Sequence, residues 1–149
     1  MKITIIYIML ALVTGALIPI QAATNAAFSK SVTNPLITGI MVFVVGFLGM
    51  LILSLTMRIS WPSVHQLASA PAYGYFGGLI VATYVVMITI LVPRIGVGTA
   101  ISVIVTGQIL CAVAIDHFGF FNVQVRSIDA RRLMGVLMMI AGIYFVMKK

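Results

Sequence analysis

A chain of 149 residues that is 62% hydrophobic and 7% charged, with a mean hydropathy of +1.24, cannot coat a water-soluble surface, because soluble domains carry about a quarter charged residues. Its net charge of +7 comes from bases standing at the ends of apolar runs. They form no patch interleaved with aromatics, so they read as interfacial anchors in a lipid bilayer, with no nucleic-acid partner expected.

The first apolar run covers about 3–28 and ends at Lys30. Lys2, the apolar stretch and Ile20-Gln21-Ala22 loosely have the form of a signal peptide. The run is long and four more follow, so it is expected as a retained first helix. Pro19 lacks an N–H and frees the carbonyl of Gly15, four residues back, where a glycine leaves room for the ring. These two residues predict a kink that opens a polar notch beside Thr14, Gln21, Thr24 and Asn25. Gln21 and Asn25 are four apart and share a face. An amide in hydrocarbon must be paired or must face a cavity, so the two either line a substrate pathway or cross-link neighbouring helices.

The second run, about 35–57, opens on Pro35, a good first-turn residue, and ends before Arg58. Its Gly39, Gly46 and Gly49 form a seam of small residues. A loop over 59–66 carries Trp61 at headgroup level. The third run, about 73–91, stops at Pro93-Arg94 and holds Tyr84 as a wall of the pathway. The fourth, about 96–115, has Gln108 as the strongly polar group deep within it and Asp116-His117 at its end. A carboxylate at a helix C-terminus is opposed by the dipole and needs a cation; Arg126, Arg131, Arg132 and His117 are at hand. That cluster is either a salt bridge pinning the loop or a gate or proton relay that includes His117.

The fifth run, about 133–147, carries Gly135 and Gly142, two turns apart. Small residues so stacked admit close helix approach, within the subunit or across a dimer. All five runs are continuously apolar, which excludes a barrel and gives an all-α membrane protein: one domain, 1–149, of five transmembrane helices. Five spans put the termini on opposite sides. Lys2, Arg58, Arg126, Arg131 and Arg132 then fall on one side, and Lys30, Arg94, Lys148 and Lys149 on the other. Five against four is almost no bias, so either the chain inserts both ways and pairs as an antiparallel dimer, or a partner fixes its orientation.

Other chemistry is poorly provided for. His65, His117, Cys111 and Asp116 lack metal-ligand spacing, no Ser or Cys has an arranged base and orienter, and the lone Cys111 cannot form an intramolecular disulfide. Neither a metal, a cofactor nor an enzymatic activity is expected.

Several stretches resemble the YdcZ-type family of the drug/metabolite transporter (DMT, EamA-like) superfamily. They are Gly15-Ala16, Gln21-Ala22-Ala23-Thr24-Asn25, Asn34-Pro35-Leu36, Phe43-Val44-Val45-Gly46, Phe76-Gly77-Gly78, Val92-Pro93-Arg94-Ile95-Gly96, Gly107-Gln108, Ile115-Asp116-His117-Phe118-Gly119, Arg131-Arg132-Leu133-Met134-Gly135 and Ala141-Gly142. The most specific is Gly107-Gln108 followed by Asp116-His117-Phe118-Gly119, and the resemblance spans essentially the whole chain. One departure is Tyr73-Gly74-Tyr75, where the family leads us to expect a tryptophan before Phe76-Gly77-Gly78.

The resemblance implies a multi-pass protein of the bacterial inner membrane, equivalent to half of a 5+5 helix transporter and completed by dimerisation. Small multidrug resistance proteins of the same superfamily exchange protons at a buried first-helix glutamate. Here Gln21 and Asn25 stand in that helix and no acid precedes Asp116, so a neutral or amphiphilic small metabolite fits better than a lipophilic cation. The expectation is an alternating-access homodimer, antiparallel if dual insertion holds, with Gln21, Asn25, Thr24, Gln108 and Tyr84 on the substrate pathway. Gly15 and Pro19 give the kink, Asp116, His117, Arg131 and Arg132 the gate or latch, and Gly135 and Gly142 the dimer contact. A dimeric small-ion channel and a non-transporting subunit of a heterodimer are the rival readings.

Overall fold

A computed structural model describes residues 2–148 of the chain; Lys149 of the charge tally and the side chain of Lys2 lie outside them. The described residues form helices and no strand: α1 (Lys2–Val32), α2 (Pro35–Thr56), a short α3 (Val64–Ala68), α4 (Phe76–Ile95), α5 (Val97–Phe118) and α6 (Ala130–Met147). Single 3-10 turns occupy Ala72–Tyr75 and Phe120–Asn122. Four segments are long and apolar enough to cross a membrane by length and composition: Ile3–Val32, Pro35–Thr56, Ala72–Ile95 and Val97–Phe118. Few of their residues are buried, as expected where hydrocarbon solvates outer faces and all backbone groups bond within the helix. The fifth predicted span falls on α6, 18 residues that carry Arg131 and Arg132 in the first turn; it is not among those four.

The chain divides into two compact units, one ending at Arg94 and one beginning at Ile95. In the first, α1 packs on α2. The buried residues of α1 are Ala22, Asn25, Ala26 and Ser29, and those of α4 are Val85, Ile88, Thr89 and Val92. Both sets follow the i, i+3, i+4, i+7 spacing of one helix face. On α2 the buried pair is Thr38 and Gly39. A Cβ on Gly39 would stand 3.2 Å from Val86 Cγ2, so this glycine permits the close approach of α2 and α4. At Gly46 and Gly49 an added Cβ would meet nothing within 4 Å, so of these three glycines only Gly39 meets a neighbouring helix within the chain. In the second unit α5 packs on α6. Thr106, Ile109 and Leu110 face Val136, Met139, Ile140 and Ile143 across a seam too tight to hold water.

The helix ends differ from the sequence expectation for local reasons. The span read as 3–28 continues to Val32 with Lys30 in its last turn, where a cation favours the dipole. Asn34 then starts α2, its Oδ1 accepting from the N–H of Leu36 at 2.9 Å and of Ile37 at 3.4 Å. The span expected to stop at Pro93 runs to Ile95. Gly96 ends it with φ +83° and ψ 155°, a backbone region open essentially to glycine alone. The 59–66 loop gives way to α3. Ser63 Oγ accepts from Gln66 N at 3.2 Å and Gln66 Oε1 accepts from Ser63 N at 2.8 Å, a reciprocal capping box. α6 starts at Ala130 rather than 133, because Asp129 Oδ1 accepts from Arg132 N at 2.7 Å and caps it.

Candidate functional site

The polar side chains of the first unit fall into two states. Asn25 is 7% exposed, and its Nδ2 finds no hydrogen-bond acceptor. Gln21, one turn earlier, is exposed and lines an open groove of about 410 Å³ with Phe43, Gly46, Phe47 and Met50 of α2 and Val81 and Val85 of α4. The hydroxyl of Tyr84 on α4 is likewise buried without a partner. A buried polar group left unpaired costs about 1–3 kcal/mol, so these two atoms hold unused hydrogen-bonding capacity inside an apolar bundle. Thr24 is different. Its hydroxyl donates within α1 to Ile20 O and Gln21 O, both at 3.0 Å, which leaves only its acceptor side for a ligand.

Gly15 and Pro19, where a kink is expected, lie within α1, which is helical from end to end. Membrane helices tolerate proline where neighbouring bonds hold the turn, and a Cβ at Gly15 would meet nothing within 4 Å. The polar face at Gln21 and Asn25 therefore sits on a continuous helix. A larger groove between α2 and α4, about 620 Å³, is lined by Leu36, Gly39, Ile40, Phe43, Val44, Phe47, Leu48, Ala82 and Val86. It has no polar side chain with which to orient a ligand.

In the second unit, the segment between α5 and α6 is laced to the end of α5. Arg132 Nη2 meets Asp116 Oδ2 at 2.7 Å, and Arg132 Nη1 donates to Arg126 O at 2.8 Å. Arg126 N donates to Asp116 O at 2.8 Å, and Ile128 N donates to His117 Nδ1 at 3.2 Å. Of the cations available to Asp116, the fold selects Arg132. Arg131 is exposed and joins no ion pair among the described residues. The turn that starts this segment needs Gly119, which takes φ +65° and whose Cβ would lie 2.7 Å from Val125 Cγ2. Gln108 is exposed on α5. Gly135 and Gly142 on α6 have nothing within 4 Å of a Cβ, so neither serves close packing within the chain. Among the described residues no three His, Cys, Asp or Glu side chains group to hold a metal.

A comparison with protein families matches residues 6–145 to the family described as "Putative inner membrane exporter, YdcZ". The chain belongs to the YdcZ family. With its membrane-crossing helices, it is a multi-pass inner-membrane protein. No curated protein and no solved structure matches it.

Two features of this YdcZ chain escaped the sequence reading. Asp129, the second of the two acids, caps α6; its position just before a run of helix formers was the available signal. Arg126 takes part through its backbone, both of whose polar groups are used, and nothing in a side-chain pattern announces that.

Proposed function

We propose that this YdcZ-family chain is a secondary transporter that exports a small neutral or amphiphilic molecule. It works by alternating access as an antiparallel homodimer of five-span subunits, with α6 as the fifth span. Asn25 carries the reading: an amide nine-tenths buried, with its donor unused, on the helix face where Gln21 borders an open groove. Polar groups are held unsatisfied in a low-dielectric bundle at a cost that binding a ligand recovers. Tyr84, with its orphaned hydroxyl, supplies a second contact and Thr24 an acceptor, while Gln108 is the amide that α5 contributes.

The absence of an acid before Asp116 argues for an uncharged substrate, since a buried carboxylate is the usual counter-charge for a cation. The Asp116–Arg132 pair, with His117 bonded to the same segment, is the latch that α5 and α6 open and close; Arg131 is exposed and joins no ion pair among the described residues. The near-even division of bases between the two sides supports insertion in both orientations, and the open space at Gly135 and Gly142 suits a helix from a second copy.

The test is flux of a panel of radiolabelled neutral amphiphiles from proteoliposomes. Saturable efflux that Asn25→Leu abolishes, in a variant with unchanged helicity, supports the proposal. Unaltered kinetics in Asn25→Leu remove the α1 face from the pathway, and conductance far above carrier turnover without saturation identifies a channel instead. Single cysteines between Asp116 and Arg132, labelled from each side, decide orientation: one-sided labelling refutes the antiparallel pair.

A further inference from the structure

The segment joining α5 and α6, which the Asp116–Arg132 pair holds, carries a second set of polar and apolar side chains. Two acids face three arginines here, and both acids are committed: Asp116 to the guanidinium of Arg132, Asp129 to the first turn of α6. The guanidinia of Arg126 and Arg131 are exposed and have no carboxylate among the described residues. Arg126 is nevertheless fixed in place. Its N–H donates to Asp116 O and its carbonyl accepts from Arg132 Nη1, each at 2.8 Å. A backbone pinned at both polar groups presents its cation with little ordering left to do on binding. Arg131 lies in the first turn of α6, where the positive end of the helix dipole adds to its charge.

The same stretch of chain carries a run of exposed rings. Phe118 is 66% exposed and Phe120 52%, with centroids 5.4 Å apart, and His117 stands edge-on to Phe118 at 4.9 Å. The backbone that carries them includes left-handed residues at Gly119 (φ 65°), Phe121 (φ 59°) and Asn122 (φ 61°). Two of those three are not glycine and hold that conformation at a cost. Phenyl rings exposed at the end of a membrane-crossing helix bury their apolar faces among acyl chains just beneath the headgroups.

We propose that this segment is a binding site for an anionic phospholipid: Arg126 and Arg131 take the headgroup phosphate, and Phe118 and Phe120 lie along the adjoining acyl chain. Guanidinium forks match phosphate oxygens, while a free phosphate in solution would make no use of the rings, so the lipid is the source the surface fits. The site shares the backbone of Arg126 with the Asp116–Arg132 pair, but its test reads lipid binding and not flux, so its failure is distinguishable from failure of the transport reading.

The experiment uses the full chain with Trp61→Phe and Phe120→Trp, giving a single tryptophan reporter in mixed micelles containing brominated phosphatidylglycerol or brominated phosphatidylcholine. Phosphatidylglycerol should quench at lower mole fraction. Each arginine near a lipid surface contributes about fivefold in binding, so the preference should fall on the order of twentyfold in Arg126→Gln/Arg131→Gln. It should persist in Arg126→Lys/Arg131→Lys, and an excess of inorganic phosphate at matched ionic strength should leave it unchanged. Equal quenching by the two lipids overturns the proposal, as does full preference in the glutamine variant. Displacement by inorganic phosphate assigns a free-anion site and overturns the lipid. If the glutamine variant does not fold, the lipid comparison and the phosphate competition in the arginine-bearing chain still decide.

Discussion

The ion pair between Asp116 and Arg132 can be dissected by a double-mutant cycle whose outcome follows from its geometry. The guanidinium makes two charge-assisted contacts, to Asp116 Oδ2 at 2.7 Å and to Arg126 O at 2.8 Å. Such bonds contribute about 1.5–3 kcal/mol when desolvated, and exposed ion pairs about 0.2–1 kcal/mol. The side chains are 32% and 35% exposed, so the coupling between them should be about 1 kcal/mol, intermediate between those limits. The single variants should differ. Asp116→Asn loses the pair but relieves a carboxylate that opposes the dipole at the end of α5, a gain of about 0.3–1 kcal/mol, so its net cost is small. Arg132→Gln loses the pair and also the bond to Arg126 O, and should cost about 1–2 kcal/mol.

The charge swap is the sharper member of the series. Asp116→Arg with Arg132→Asp puts a cation at a helix C-terminus and an anion in a helix first turn, both favoured by the dipoles, and should recover more than half of the loss. The assay is reversible unfolding in mixed micelles by denaturing detergent, followed by far-ultraviolet circular dichroism, at low and high salt. A coupling below about 0.3 kcal/mol, an Asp116→Asn variant as damaging as Arg132→Gln, or a swap worse than either single change would refute the reasoning.

Three further outcomes are expected. Asn25→Leu replaces a buried amide whose donor is unpaired with hydrocarbon of similar volume; it should leave stability unchanged or raise it by about 1 kcal/mol while eliminating transport, and a large loss of stability in the same micelle assay would show that Asn25 is a structural bond. Gly119→Ala meets both a positive φ and a 2.7 Å contact with Val125 Cγ2; it should destabilise by about 1–3 kcal/mol, and Val125→Ala should restore only the steric part, a split readable by thermal melts of the double variant. Asn34→Ala removes the cap of α2 and should cost about 1 kcal/mol, measurable as faster hydrogen exchange at Leu36 and Ile37.

Much of the membrane architecture was legible in composition, because an apolar stretch of twenty residues has few alternatives to a buried, fully bonded helix. The places where the reading slipped were decided by single bonds. Helix α4 runs past Pro93 and stops where Gly96 leaves the helical region at φ +83°; α6 begins early because Asp129 caps it; Ser63 and Gln66 make a helical turn out of an expected loop. Each depends on a local geometry that hydrophobic periodicity does not encode. At the site, Gln21 and Asn25 were recognisable as costly groups sharing one face. Which of them is buried, and that Thr24 already donates its proton within α1, depended on the folded helices.

The sequence by itself therefore determined that this is a helical membrane protein, where its apolar segments run, that its first helix carries amides and no acid, and that Asp116 required a cation. Those follow from transfer free energies, which act residue by residue along the chain. Tertiary structure alone decided that Arg132 is the cation and Arg126 the pinned backbone, that Gly39 meets a neighbouring helix within the chain while Gly46 and Gly49 do not, and that the donor of Asn25 is left unpaired. Those are statements about which atoms lie within about 3–4 Å of each other, and residues far apart in the chain reach that distance only once the helices have packed.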